Sequence, residues 1–258
     1  MRILTRCVLC LVFLSWGGRI FAAEWNEYKA NHFIIYYKDA PLEFVKNVED
    51  MGERYYVEIT ENLGFTRYKS WSWDDRMKIY IYRDAQDYLD NAQQAKWSHG
   101  AALARSRTIR TFPSAHGFFD STLPHELGHI IFREFIGCDT QIPLWLEEGV
   151  AMYQEKAQRW GSHQQVQQAM EDGTYLNLMQ LAELRMSDDA KQSLVELFYA
   201  ESASAVTFLI KELGEYRFVN FCKHLKDGDS FEKALSSSYG RFHNVEGFNK
   251  VWEEYLRK

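Results

Sequence analysis

Two histidines and a glutamate that could carry metal chemistry stand together in the segment 124–129 (PHELGH). His125 and His129 are four residues apart, so in a helix both side chains lie on one face and can reach the same metal ion. Glu126 lies about 100° round the helix from His125, close enough to contact a water molecule on that ion. The spacing therefore predicts two metal ligands and a general base from a single helical turn.

The residues next to these histidines are strongly apolar: Leu127, Ile130, Ile131 and Phe132. They predict a buried helix. Burying two imidazoles and a carboxylate costs free energy unless a partner satisfies them, and a metal ion would do so. The alternative is a chance match, in which both histidines are ordinary surface or core residues of a helix.

A third ligand should come from another element, because a catalytic zinc ion usually has three protein ligands and leaves a fourth position for water. The next helical segment, 143–151 (PLWLEEGVA), offers two adjacent glutamates. Eighteen residues separate His129 from Glu148. This HExxH-x18-E arrangement resembles the gluzincin metallopeptidases, most closely the aminopeptidase N type and the small bacterial peptidase MA-like domains. The resemblance implies that Glu148 is the third zinc ligand.

Glu147 is the lesser alternative for that role, because neighbouring residues of a helix point about 100° apart and both cannot easily bind one ion. A further alternative treats the two glutamates as surface residues favoured by the helix dipole. The resemblance extends to Tyr199, near the start of a long apolar helix that ends before Gly214. It implies that Tyr199 donates a hydrogen bond to the oxyanion; the alternative is a half-buried core tyrosine.

These residues predict a zinc-dependent metallopeptidase that hydrolyses peptide bonds in a peptide or protein substrate. Zn²⁺ would be held by His125, His129 and Glu148, while Glu126 would act as general base. The Gly-x-Met-Glu-Asn element with which the aminopeptidases hold a free amino terminus is missing, which favours an endopeptidase. Two alternatives remain: a non-catalytic module of the same fold that holds zinc and binds peptide or protein, and a metal-free helical interaction protein.

The elements that must position these residues change character along the chain. Strands are predicted at 31–38, 77–82, 99–104 and 108–112, the last two alternatively as one hairpin. Helices are predicted at 41–62, 85–93, 121–136, 143–157, 159–171, 177–185, 193–213, 215–226, 230–237 and 245–257. Strands before helices indicate an α+β fold with two lobes. The resemblance implies a zincin-like fold, with a mixed β-sheet lobe, a mainly helical C-terminal lobe and the zinc site in the cleft between them.

The strand at 108–112 precedes the zinc-binding helix, and the resemblance implies that its edge binds the peptide substrate. Arg105, Arg107 and Arg110 cluster there. They could favour an acidic substrate, or they could be a charged edge that prevents aggregation. His116 could line the cleft, although it has no ligand spacing.

Composition and the N-terminus set limits on the partners and the location. The 258 residues carry a formal net charge of −6, and the chain has no basic stripe, which argues against nucleic acid as a partner. Residues 1–23 have a positive start, a short apolar run and small residues at the end, which predicts a signal peptide. The protein would then be secreted or periplasmic, without a stable membrane span after cleavage; the alternative is an uncleaved signal anchor.

We therefore expect one mature domain, 24–258, with a strand-rich part at about 31–112 and a helical part at about 118–258. Two cysteines remain after the signal peptide, Cys138 and Cys222. In an oxidising compartment they could pair, or they could be two isolated thiols.

Overall fold

The computed structural model of the chain describes residues 25–65, 75–92, 104–184 and 190–258. The predicted signal peptide, 1–23, lies outside the described residues, and so does nearly all of the strand predicted at 99–104. The described part is mixed α and β, mostly helical, with one small sheet near its N-terminal end. The predicted α+β class, with strands before helices, is confirmed at this level.

The sheet of the described residues has four strands in the order β1-β2-β3-β4. They are β1 (Asn26–Lys29), β2 (Phe33–Tyr37), β3 (Met77–Ile81) and β4 (Thr108–Thr111). β1 is antiparallel to β2, whereas β2, β3 and β4 run parallel. The strands predicted at 31–38, 77–82 and 108–112 match β2, β3 and β4 apart from their ends.

The sequence does not predict β1, which lies before the expected start of the strand-rich part at about 31. The four residues of β1, NEYK, are mostly exposed and lack the apolar or β-branched pattern that marks a strand. β1 is defined by pairing rather than burial, since Asn26 lies opposite Tyr37 and Lys29 opposite Ile34.

One face of the sheet is buried against helix α1 (Leu42–Asn62), which packs on β2. Alternate residues of β2 and β3 are completely buried on this face: Phe33, Ile35, Met77, Ile79 and Ile81. The alternation follows from the two-residue period of a strand. α1 is also the crossover that two parallel neighbours such as β2 and β3 require.

One short helix, α2 (Ala85–Asn91), lies between β3 and β4, and the other helices named here follow the sheet. They are α3 (Leu123–Ile136), α4 (Leu144–Gln154), α5 (Lys156–Glu171), α6 (Leu178–Glu183), α7 (Gln192–Thr207), α8 (Glu215–Lys226), α9 (Phe231–Tyr239) and α10 (Val245–Leu256). Each predicted helix is found, with ends that differ by a few residues.

Three of these differences concern the site. The helix predicted at 121–136 is preceded by a π-helical turn, Phe118–Thr122, and α7 continues into another, Phe208–Glu212. Such turns are often found at functional sites. Between α4 and α5, Glu155 has extended backbone angles, so the helix predicted to 157 ends three residues early.

α7 and the turn after it form one apolar segment, Gln192–Glu212, that is long enough to cross a membrane by length and composition. Two thirds of its most apolar window (67%) is buried inside the fold, where α7 packs against α4 and α5. Its burial is that of a core helix.

Cys138 and Cys222 do not pair in the structure. Cys222 is completely buried in α8 and Cys138 is half-buried beyond the end of α3. Burial raises the pKa of the Cys222 thiol well above its ordinary value, so this thiol is a core residue with little thiolate character.

Candidate metal centre

Helices α3 and α4 bring two histidines and one glutamate together. Nε2 of His125 lies 3.1 Å from Nε2 of His129. Oε2 of Glu148 lies 3.6 Å from both nitrogens. Four ligands arranged tetrahedrally around zinc at 2.0–2.2 Å are about 3.3 Å apart. The three donor atoms therefore have the mutual spacing of ligands around a single ion.

The same three residues are the group of histidine, cysteine and acidic side chains that could hold a metal ion within the described ranges. Two atoms beside them are buried without a hydrogen-bond partner there: Oε2 of Glu126 and Nδ1 of His129. An orphaned buried carboxylate oxygen is costly unless water or an ion satisfies it. The donor set and this oxygen both fit a metal ion with a bound water.

The electrostatics of the site couple the histidines to the glutamate. Burial alone would lower the pKa of His125, but hydrogen bonds to Glu148 and Glu155 outweigh it and raise that pKa to about 10. Burial alone would raise the pKa of Glu148, but hydrogen bonds with His125 and His129 hold it well below its usual range. The cluster therefore favours an ionised Glu148 facing positive charge, which either a proton on His125 or a metal ion supplies.

Glu126 and Tyr199 sit in the same electrostatic field. Burial raises the pKa of Glu126 above its ordinary value, and the neighbouring histidines oppose this rise. Burial, together with the charges of Glu148 and Glu126, raises the pKa of Tyr199 to about 12. Tyr199 is therefore close enough to feel both carboxylates, and its hydroxyl stays protonated at neutral pH and can donate a hydrogen bond.

Glu155 is a site residue that the sequence does not reveal. From the break between α4 and α5, its Oε1 accepts a hydrogen bond from Nδ1 of His125 at 2.8 Å. Its other oxygen accepts one from Ser121 Oγ at 2.6 Å, in the π-helical turn before α3. This contact fixes the His125 ring so that Nε2 faces Glu148. Seven residues after Glu148, it follows no ligand spacing that could have indicated it.

Glu147 is held elsewhere. Arg133 donates from Nε to Oε1 of Glu147 at 2.7 Å and from its Nη2 to the other carboxylate oxygen. A third donor, Nη1, binds the backbone oxygen of Thr140 at 2.7 Å. Both charged groups are buried, and the bidentate pair joins α3 to α4 one turn beyond His129. The carboxylate of Glu147 is thus engaged away from the histidines.

Two glycines let the three helices of the site approach closely. Gly128 of α3 lies against α4, where an added Cβ would come within 3.1 Å of Cα of Ala151. Gly149 of α4 lies against α7, where an added Cβ would clash with the backbone oxygen of Ser202. Each glycine is next to a site residue in sequence. The close approach brings Glu148 to the histidines and Tyr199 to Glu148.

The remaining candidates from the sequence lie apart from the donor cluster. His116 is exposed, and no hydrogen bond or ion pair in the described chain ties it to these residues. Arg105 forms an ion pair with Asp139 at 2.5 Å. Arg107 pairs with Asp75 and Glu134. A cavity of about 380 Å³ lies beside the site, lined by Met152, Gln158, Gln165, Glu196 and Tyr199.

Comparison with known proteins adds the family. The family model described as the peptidase MA superfamily matches residues 69–258, well over half of the chain and all of α3, α4 and α7. A comparison with curated proteins gives no match. The metallopeptidases of this superfamily are typically metal-dependent, which agrees with a cluster of two histidines and a glutamate that could bind a metal. The chain belongs to the peptidase MA superfamily.

Proposed function

We propose that this protein is a secreted or periplasmic zinc metallopeptidase of the gluzincin type, related to the aminopeptidase N enzymes, that cleaves peptides or proteins internally. The observation that carries the proposal is the spacing of the three donor atoms, 3.1 to 3.6 Å apart, beside an oxygen of Glu126 that has no partner in the described chain. His125, His129 and Glu148 would hold Zn²⁺.

When bound, zinc would supply a Lewis acid and lower the pKa of a coordinated water towards about 7. Glu126 would accept the proton of that water and later pass it to the leaving amine. Burial raises the pKa of Glu126 above its ordinary value, which makes its carboxylate a stronger base than an exposed one. Tyr199, protonated and beside the carboxylates, would donate a hydrogen bond to the oxyanion.

The endopeptidase assignment is supported by the missing aminopeptidase element in the sequence and by the open cavity beside Tyr199. Export is supported by the N-terminal segment 1–23 alone.

Metal content and turnover, measured together, test the proposal. The full chain would be exported from a bacterial host, purified without a histidine tag, and analysed for metal by elemental analysis. We expect about one zinc ion per chain, and cleavage of members of a peptide library. Glu126→Gln should retain the zinc and lose turnover, because the amide cannot accept the proton.

The outcomes separate the alternatives. Loss of zinc in Glu148→Gln but not in Glu147→Gln is expected for the ligand set above. A folded chain that takes up no zinc even after loading would contradict the metallopeptidase. A chain that binds zinc and peptides, but cleaves neither peptides nor proteins, would be the non-catalytic module.

A further inference from the structure

The face of the sheet opposite α1 carries cations and aromatic rings instead of apolar residues. Lys78 and Tyr80 alternate with the buried residues of β3, and Arg110 lies beside Tyr80 on β4. Lys38 follows β2, where its backbone N–H bonds to Ile81. The pleat therefore places three positive side chains on one small area of the open face.

Aromatic side chains enclose these cations. The Trp25 ring meets Tyr80 and Tyr82 edge-on, with centroids 5.2 and 5.1 Å apart. Nζ of Lys38 lies 4.7 Å from the centroid of the Trp25 ring. On the other side, Tyr80 stacks on Tyr36 at 4.9 Å. The rings form walls of fixed geometry around the charges.

These rings and cations line an open cavity of about 440 Å³. Its lining residues are Trp25, Lys38, Lys78, Tyr80, Tyr82, Asn91, Ser106, Thr108 and Arg110. The volume is within the range of ligand-binding clefts. Among the described residues, this lining contains three cations and no acidic residue, on a chain whose net charge is −6.

Three of the cations in or near this cavity have carboxylate partners. Arg105 and Arg107 are engaged by Asp139 and by Asp75 and Glu134, as described above. Lys38 is 3.3 Å from Asp87. By contrast, no carboxylate of the described chain lies within ion-pair distance of Lys78 or Arg110. Two positive side chains that line one cavity without a carboxylate partner in the described chain favour binding of an anion.

We propose that this cavity binds carboxylate side chains of an acidic peptide, which is a segment of the substrate laid along β4. The inference rests on the proposed function for the identity of that peptide. β4 is the terminal strand of the described sheet, and a terminal strand can pair with an extended chain. Alternate side chains of such a chain project onto the face that carries Arg110, one strand away, and Lys78, two strands away.

Tyr88 connects this cavity to the metal centre. Its ring lies 5.7 Å from Tyr82, which lines the cavity, and 5.4 Å from Phe112, which follows β4. Burial raises the pKa of Tyr88, the charge of Arg110 lowers it, and the charge of Glu126 raises it again. Tyr88 therefore lies within electrostatic range of Arg110, which lines the cavity, and of Glu126 beside the metal ligands.

The test measures binding without turnover. The probe is an acetylated, amidated octapeptide with glutamate at alternate positions, compared with the same peptide in which glutamine replaces each glutamate. Both are titrated calorimetrically into the full-length Glu126→Gln variant at low ionic strength, with and without added zinc. We expect the acidic peptide to bind at least about tenfold more tightly, and added salt to weaken only that binding.

Matched variants locate the binding. Lys78→Gln combined with Arg110→Gln should remove the preference for the acidic peptide. Lys46→Gln combined with Lys250→Gln removes the same charge from exposed helix positions and should change the affinity less than twofold. Lys78 is exposed, so Lys78→Gln alone keeps the test valid if the double variant does not fold.

Equal affinity for the two peptides, or equal loss in both double variants, would overturn the proposal. So would competition by inorganic phosphate at the same concentration as the peptide, since it would indicate a small-anion site. Failure of the peptidase is distinguishable: in that case wild type cleaves neither peptide while the acidic preference in binding remains. If wild type cleaves both peptides with the same kcat/KM and binds them equally, only the inference made here fails.

Discussion

At the scale of single residues, removal of the Tyr199 hydroxyl should affect catalysis without affecting metal binding. Its pKa of about 12 keeps it protonated, and it is not one of the three donors. We expect Tyr199→Phe to lower kcat by about 10²-fold, as for loss of one oxyanion donor, with zinc content unchanged. Single-turnover kinetics and elemental analysis would check this, and an unchanged kcat would remove Tyr199 from the chemistry.

Glu155 acts through His125 rather than on the substrate, so its loss should appear in metal affinity. Glu155→Gln weakens the bond that orients the imidazole, and we expect zinc to bind about 10 to 100 times more weakly. Competition with a chelator measures this affinity. Glu171→Gln, at the exposed end of α5, is the control and should bind zinc like wild type. Equal affinity in Glu155→Gln would mean that the contact does not position His125.

At the scale of elements, the approach of α4 to α7 depends on Gly149. A methyl group there meets the backbone of Ser202, which cannot move aside as a flexible side chain would. We expect Gly149→Ala to destabilise the protein by about 1–3 kcal/mol and to lower kcat, because Glu148 and Tyr199 lie on the two helices that are forced apart.

Gly161→Ala is the matched control for that change. Gly161 lies inside α5 with open space around it, so alanine should stabilise the helix by about 0.5–1 kcal/mol. Denaturant unfolding of the two variants measures both effects. If Gly149→Ala were as stable and active as wild type, the close approach would not matter to the site.

The elements also show how far sequence reasoning reaches. The clustering of His125, His129 and Glu148 could be predicted because helical spacing is local and Glu148 lies in a distinctive setting. Glu155 could not, because it depends on a break in helix geometry seven residues after Glu148. β1 could not, because pairing with β2 rather than its own composition makes it a strand.

Contacts between residues that are distant in the sequence could also not be predicted. Arg133 and Glu147 are fourteen residues apart, and the sequence offers no reason to pair them. The same holds for the three arginines before and within β4. Their positive charge predicts either an acidic ligand or a charged strand edge. In the structure, Arg105 and Arg107 form ion pairs with carboxylates, whereas Arg110 lines a cavity.

At the scale of the whole molecule, a buried carboxyl group outside the site links stability to pH. Glu201 of α7 is completely buried. One oxygen accepts the backbone N–H of Leu176 at 2.8 Å, and the other has no partner in the described chain. Burial raises the pKa of Glu201 to about 8, against 4.5 for the ordinary group.

The sign of the effect follows from the protons bound. Between pH 4.5 and about 8 the folded state holds a proton on Glu201 that the unfolded state has lost. The free energy of unfolding therefore falls as the pH rises through this window, by an amount on the order of a few kcal/mol. Glu201→Gln, which stays neutral, should melt at a higher temperature than wild type at pH 8.5, and the difference should shrink at pH 5.

Thermal unfolding of both proteins at the two pH values measures that difference, and Glu196→Gln, an exposed change on the same helix, should show none. A constant difference between wild type and Glu201→Gln across pH would mean that Glu201 does not carry the buried proton.

The pair of Arg133 and Glu147 has a consequence for the proposed metal site. The pair is made entirely by the chain, and it joins α3 to α4 next to His129 and Glu148. This ion pair therefore helps to hold the donor atoms in position without a bound metal ion. Under the proposed function, a chelator should remove zinc without unfolding the protein, and the metal-free chain should rebind zinc quickly. The supply of zinc, rather than folding, would then govern how much of the protein is active.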